Sequence, residues 1–386
     1  MVADNTSADT SNPSFDEIDI DKRVKQQLVI DTIMKHVASS SSSHKILLQI
    51  NEAMANGSHL SFKILSGGYT NYSYQVTVKD HPDLCLFAKL SFEYALWNPD
   101  KSSHYSLKRT DNEWMIMEAI SKLASDCVVK PLGCWDVHQD GQHMKLLVTE
   151  WSNADEQFCN QFIDGAVDLR IAPKLAETLA KLHTIKEFDP NFNVNVKPCM
   201  ENVLEQMRVF VREACTTEDP KNRTERYCVE VGANTLGKVV DGIISNYHQR
   251  DCLIHSDSHV FNILVEPKPS VEELESFGPN GSMVLCDWEM AMAGPMGRDV
   301  GLALAFPIAC YISHALNGLV VESIFEYITM LVQCYLNKME QAGMGRKEQA
   351  ALYRNIIGWS GWFQFLGLHI LRVQDNFPVQ NQEAKE

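Results

Sequence analysis

Ile254-His255-Ser256-Asp257-Ser258-His259-Val260-Phe261-Asn262-Ile263-Leu264-Val265 is the stretch on which the reading of this chain turns. Asp257 and Asn262 stand five residues apart, directly ahead of an apolar run that reads as a strand. Phosphoryl transfer to a hydroxyl needs a carboxylate that accepts the proton and orients the nucleophile. It also needs a neutral oxygen to ligate the metal on the phosphates. One short loop can aim both into a cleft. The same residues also describe an ordinary Asp- and Asn-rich turn entering a strand, so they have to be weighed with their neighbours.

Thirty residues after Asp257, the run Val284-Leu285-Cys286-Asp287-Trp288-Glu289 ends in Asp-x-Glu. Hard cations such as Mg²⁺ take carboxylate oxygens, and carboxylates at a strand end are rigidly placed. Asp287 and Glu289 share one side if the strand persists, although a plain polar strand end is the simpler reading. Between the two runs, Pro267 to Ser282 is acidic and rich in Gly, Pro and Ser, which reads as a variable loop. The two runs therefore fit a hairpin that brings Asp257, Asn262 and Asp287 together. Gly294-Pro295-Met296-Gly297-Arg298-Asp299-Val300-Gly301 follows. Its glycines imply a tight turn into a helix. Asp299 is expected to cap that helix or to accept backbone N–H groups of the Asp257 loop.

Upstream, Phe62 to Leu65, Tyr72 to Val78 and Leu84 to Leu90 read as strands, Leu107 to Leu123 as a helix, and Val128 to Trp135 and Lys145 to Trp151 as strands. Gly67, Gly68 and Asn71 lie in a connection whose backbone N–H groups could approach phosphate oxygens; a hairpin turn explains them equally. Lys89 interrupts the apolar strand Leu86 to Leu90, and a buried ammonium needs a partner, for which Glu113 on the next helix is the candidate. An edge-strand lysine and a solvated glutamate are the simpler readings. After Trp151 the pattern is mostly helical, over Ala172 to His183, Met200 to Cys215, Glu225 to Tyr247 and Val300 to Arg372. Short β interludes fall at Cys252 to Val265 and Met283 to Trp288. At the N-terminus, residues 1 to about 20 are polar and read as disordered. Lys22 to Val37 reads as a helix, Ser39 to Ser43 as a break and Ile46 to Met54 as a second helix.

The 386 residues exceed one ordinary compact domain, and 45% hydrophobic with 22% charged residues suits a chain that buries a sizeable core. Fifty acidic against 34 basic residues give a net charge of −16, which argues against nucleic acid and anionic membrane as partners. A nucleotide must then be held by local cations and a metal. The eleven cysteines are scattered with no CxxC, as expected of reduced core thiols in the cytoplasm. The N-terminus lacks an apolar signal core, and Val300 to Ile312 is too short an apolar stretch to span a bilayer.

Glycine loop, strand lysine, helix glutamate, Asp-x4-Asn and strand-end Asp occur here in the order found in protein-kinase-like phosphotransferases. From Phe62 to Arg372 the chain resembles the aminoglycoside phosphotransferase and choline kinase superfamily, with Ser256 in place of the glycine of His-Gly-Asp-x4-Asn. Leu175 to His183 resembles that family's helix ahead of the catalytic loop. Val148-Thr149-Glu150-Trp151 is similar to the hinge whose backbone, around Glu150 and Trp151, pairs with adenine. Asp287-Trp288-Glu289 with the Gly294 to Asp299 run, and Tyr94, Trp97-Asn98-Pro99 and Leu107-Lys108-Arg109, resemble 5-methylthioribose kinases. The loop Gly67 to Asn71 is closer to choline and ethanolamine kinases. Where methylthioribose kinases carry adjacent arginines, this chain reads Trp362-Phe363-Gln364-Phe365. Together with Trp359 these rings suit helix core, or a quaternary ammonium held by cation–π attraction.

The resemblance implies an α+β, two-lobed protein-kinase-like fold. Residues 1–45 would form a polar extension with a helix, 46–150 a nucleotide-binding N-lobe with an antiparallel sheet, and 151–386 a helical C-lobe. It implies an ATP- and Mg²⁺-dependent phosphotransferase acting on a small-molecule hydroxyl. In that reading Asp257 is the catalytic base and Asn262, Asp287 and Glu289 are the metal ligands. Gly67, Gly68, Asn71, Lys89, Glu113, Glu150 and Trp151 serve the nucleotide. A homodimer is compatible with the sequence. A kinase-shaped binding protein without activity is the reading from another class.

Overall fold

The computed structural model describes residues 15–39, 44–65, 71–94, 106–122, 128–152, 154, 156–185, 188, 205, 208–209, 211–219, 223–266 and 282–370. The chain divides into two units, residues 1–118 with 129–151, and 119–128 with 152–386.

In the first unit, strands, several of them carrying runs of buried apolar residues, build an antiparallel sheet. They are β1 (Leu60–Ile64), β2 (Asn71–Val78), β3 (His81–Phe92), β4 (Pro131–Gln139) and β5 (Gln142–Glu150), in the order β1-β2-β3-β5-β4. β4 starts at Pro131 rather than at Val128, and as an edge strand it tolerates a residue that donates no ladder hydrogen bond. Helix α3 (Lys108–Ser121) follows β3. Two further helices, α1 (Phe15–Ser39) and α2 (Lys45–Ala55), contribute Val29, Ile33, Val37, Leu47 and Ile50 to the same core as Tyr72, Tyr74, Leu86, Leu90 and Phe92. The Tyr72 hydroxyl donates to Asp21 (2.7 Å), the Tyr74 hydroxyl to the Lys22 carbonyl (2.9 Å), and Lys25 Nζ to Gln139 (3.1 Å). The expected polar extension is thus a packed layer of this unit. It begins at Phe15, inside the segment read as disordered; residues 1–14 of that segment, and 40–43 of the serine break, lie outside the described residues.

The second unit is mostly helical: α4 (Cys159–Ile163), α5 (Ile171–His183), α6 (Arg223–Val231), α7 (Ala233–Tyr247), α8 (Met296–Leu316), α9 (Glu322–Gln341) and α10 (Arg346–Ile370). Glu225 to Tyr247 is two helices instead of one, because Gly232 sits at φ 85°, which a helix cannot continue through. Most of the helix read at Met200 to Cys215 falls outside the described residues. Short strands supply the rest: β6 (Glu156–Gln157), β7 (Cys252–Ile254), β8 (Ile263–Val265), β9 (Met283–Leu285) and β10 (Met292–Gly294). β6-β8-β9 form one antiparallel sheet and β7 with β10 another. β8 and β9 form the expected hairpin, with Ile263 opposite Leu285 and Val265 opposite Met283. The α+β expectation, an antiparallel sheet followed by a helical unit, holds.

Three further readings change. The carboxylates of Asp-x-Glu do not ride on a persisting strand, since β9 ends at Leu285 and Asp287 turns into the left-handed region (φ 64°, ψ 62°). Gly297 and Gly301 make no turn; they lie inside α8, where a Cβ at Gly301 would stand 2.6 Å from Trp359 Cβ and 2.8 Å from the Ile356 carbonyl. They let α8 and α10 approach. Val300 to Ile312 belongs to this 21-residue helix, which by length and apolar composition alone could cross a bilayer, and which packs here against α9, α10 and β7.

Candidate active site

The first unit gathers the residues read as nucleotide-binding. Lys89, in β3, lies opposite Ser73 and Leu147, and its side chain leaves the sheet buried. Its ammonium meets Glu113 of α3, with Nζ 3.0 Å from Oε2 and 3.2 Å from Oε1. Both side chains are almost fully buried (7% and 3% exposed), which an ammonium tolerates only with such a carboxylate. Asn71, at the start of β2, is buried and accepts a hydrogen bond from Arg109 Nη2 (3.2 Å). Arg109 also donates Nη1 to the Ser106 carbonyl. Gly67 and Gly68 lie outside the described residues. At the end of β5, the Glu150 N–H donates to the Lys130 carbonyl (3.0 Å) and the Trp151 N–H to the Cys85 carbonyl (3.2 Å). Neither N–H can therefore donate to an adenine ring while these bonds persist, and of the two carbonyl oxygens that of Glu150 already accepts the Thr149 hydroxyl (2.9 Å).

The second unit gathers the loop and the metal-type donors. Asn262 Nδ2 donates to the Asp257 carbonyl (2.9 Å) and to Asp257 Oδ2 (3.1 Å). With Nδ2 turned to Asp257, Oδ1 is the atom that Asn262 offers a cation. The Asp257 side chain is one third exposed, with His259 Nε2 3.5 Å from its Oδ1. The hairpin register carries Asn262 alongside Cys286, whose N–H donates to the Asn262 carbonyl (2.9 Å), and Asp287 is the next residue. Asp287 and the buried Glu289 hold carboxylate oxygens within 4.8 Å of each other. Asn262, Asp287 and Glu289 thus present oxygen donors only, the set that suits a hard cation such as Mg²⁺.

Behind the loop lies Asp299, fully buried. Of the two roles expected for it, it takes the second. Oδ2 accepts the His255 N–H (2.7 Å), Oδ1 accepts the Ser256 N–H (2.8 Å), and its backbone carbonyl accepts the Ser258 hydroxyl (2.8 Å). His183 Nε2 lies 3.1 Å from Oδ2, and its Nδ1 is 2.6 Å from the Tyr335 hydroxyl. Burial alone would raise the Asp299 pKa, but the His183 hydrogen bond, the histidine charges and the loop N–H groups outweigh it and hold the carboxyl below its ordinary value. Burial lowers the pKa of His255, whose Nε2 lies 3.1 Å from the Cys286 carbonyl and so ties the loop to the metal-type strand end.

Sequence reasoning missed Arg298, His183 and Tyr335. Arg298 is buried; its Nε and Nη2 donate to the Ser256 carbonyl (3.2 and 3.1 Å), and its guanidinium lies 5.0 Å from the Trp359 ring and 5.2 Å from that of Phe363. Of the two readings of the aromatic cluster, helix core holds for Trp359 and Trp362, and the rings of Trp359 and Phe363 already face a cation of this chain. The Phe365 side chain lies outside the described residues. Since His183 lies 116 residues from Asp299 and 152 from Tyr335, no local spacing could have announced these contacts.

A family model described as "Phosphotransferase enzyme family" matches residues 61–310. A search of curated proteins finds no match. Among solved structures, the ethanolamine kinase of Plasmodium vivax is 13% identical, over 90% of this chain and 92% of its own, with a TM-score of 0.40. The aminoglycoside phosphotransferase APH(3'')-Id of Streptomyces rimosus is 11% identical, over 82% and 98%, with a TM-score of 0.39. The same enzyme in complex with ADP and streptomycin gives 11% and 0.37.

Proposed function

Since this chain belongs to the phosphotransferase enzyme family, we propose that it is an ATP-dependent kinase that moves the γ-phosphate to the hydroxyl of a small molecule. One observation carries the reading: Asp257 and Asn262 share a hydrogen bond of 3.1 Å at the mouth of the β8–β9 hairpin, one strand from Asp287. Asp257 is the group that accepts the proton of the acceptor hydroxyl and orients its oxygen. Lys89, kept extended by Glu113, takes the α- and β-phosphates. Asn262, Asp287 and Glu289 would hold Mg²⁺, which when bound would offset the negative charge of the phosphates.

The acceptor falls between a methylthioribose-like sugar and a choline- or ethanolamine-like amino alcohol. A quaternary ammonium would have to be held elsewhere than on Trp359 and Phe363, whose rings face Arg298. An ADP-release screen of the whole chain with Mg-ATP against methylthioribose, choline, ethanolamine and amino sugars identifies it. Asp257→Ala should lower turnover by at least ~10²-fold and leave nucleotide binding nearly intact. Wild-type turnover in that variant removes Asp257 from the role. Failure of Mg-ATP to raise the melting temperature of the wild-type chain would favour an inactive, kinase-shaped binding protein instead.

A further inference from the structure

Ser256 stands at φ 70°, a left-handed conformation that an L-residue other than glycine adopts at a cost and keeps only where its surroundings over-determine it. Its own side chain does not hold it there, because the buried hydroxyl has no hydrogen-bond partner among the described residues. The backbone is held from both ends. Asp299 Oδ1 takes the Ser256 N–H at 2.8 Å, while Arg298 Nε and Nη2 both donate to its carbonyl, at 3.2 and 3.1 Å. We propose that Arg298 is a positioning residue: with Asp299 it clamps Ser256 in the left-handed conformation and so aims the carboxylate of Asp257, the next residue.

The peptide whose oxygen Arg298 grips is the one that joins Ser256 to Asp257. Fixing its plane fixes the direction in which the Asp257 side chain leaves the backbone. The clamp is itself anchored. The Arg298 guanidinium stands 5.6 Å from the Tyr247 ring of α7, and 5.0 and 5.2 Å from the Trp359 and Phe363 rings of α10. These aromatic faces stabilise a buried planar cation, and lysine supplies neither the fork nor the stacking plane. A loop of irregular backbone is thereby tied through one side chain to two helices.

The inference rests on Asp257 being the base, and its test separates the two. Arg298→Met, and Arg298→Lys as the milder change, are made in the wild-type and in the Ser256→Gly backgrounds of the full chain. If Arg298 acts through the Ser256 backbone, its removal lowers kcat by ~10- to 100-fold and changes the KM for ATP by less than about twofold. Glycine adopts φ 70° without strain, so the loss should shrink several-fold in the Ser256→Gly background, a coupling that plain core packing does not produce. The melting-temperature drop on Arg298→Lys should likewise be smaller in the Ser256→Gly background, and this arm reads the clamp even if Asp257 proves not to be the base. Losses of kcat and melting temperature that are equal in the two backgrounds overturn the proposal.

Discussion

Lys89 and Asp299 show what a buried charge demands of its surroundings. Replacing Lys89 by Met removes the ammonium but leaves the Glu113 carboxylate, 3% exposed, in a site built for an ion pair. Urea unfolding should show a loss of about 3–5 kcal/mol, of which Lys89→Met with Glu113→Leu recovers a large part. Asp299→Asn presents an amide N–H₂ to one of two loop N–H groups and should cost about 3 kcal/mol at pH 7. The sign of its pH dependence follows from the depressed carboxyl pKa. The unfolded chain, at the ordinary value of 3.8, binds the proton more readily than the fold. The stabilisation by Asp299 is therefore complete above 3.8 and lost as pH falls through the lower, folded value. The stability gap between wild type and Asp299→Asn should stay flat from neutral pH to about 5 and narrow only below about 4.

At the scale of elements, the β8–β9 hairpin and the α8–α10 contact set the second unit. The hairpin was legible because two apolar runs flank a polar loop, a local pattern that strand pairing has to satisfy. The α8–α10 contact was not. Gly297 and Gly301 read as turn residues, yet at four-residue spacing they share one helix face, and a partner's backbone comes to rest on it. Gly301→Ala should push the helices apart and cost about 1–3 kcal/mol in chemical denaturation. Gly361→Ala in α10 is the control: among the described residues, no atom beyond its chain neighbours and its own helix backbone lies within 4 Å of its Cβ position, and the change should stabilise by about 0.5–1 kcal/mol. If the two variants behave alike, close approach is not what Gly301 provides.

For the whole molecule, a net charge of −16 acts on any anion that approaches. In the proposed function, a nucleotide carrying several negative charges would be repelled at long range and would depend on short-range groups such as Lys89. Its association rate should therefore rise as salt increases from about 0.02 to 0.2 M, the reverse of electrostatic steering. Stopped-flow mixing with a fluorescent ATP analogue measures it, and a rate that falls with salt would point to a positive local field stronger than the molecule's total.

By itself, the sequence determined which candidate residues come together and much of the scaffold. Asp257 with Asn262, Asp287 ahead of Glu289, and Lys89 with Glu113 could be read because each depends on near neighbours or on the order of elements along the chain. The strands of the first unit followed from short apolar runs, alternating from Tyr72 to Val78 and continuous elsewhere. Only the tertiary structure decided what holds the kit in place. It chose, of the two roles read for Asp299, the loop's N–H groups over the helix cap, and it put Arg298 on the Ser256 carbonyl and the aromatic rings of α7 and α10 around that arginine. It also closed β10 onto β7 with three residues, too few for any period to show. The physical reason is the same in each case. These contacts join residues about forty to sixty positions apart, or from different helices. Burial and hydrogen-bond satisfaction select such partners only once the chain has folded, and no repeat in the sequence records the choice.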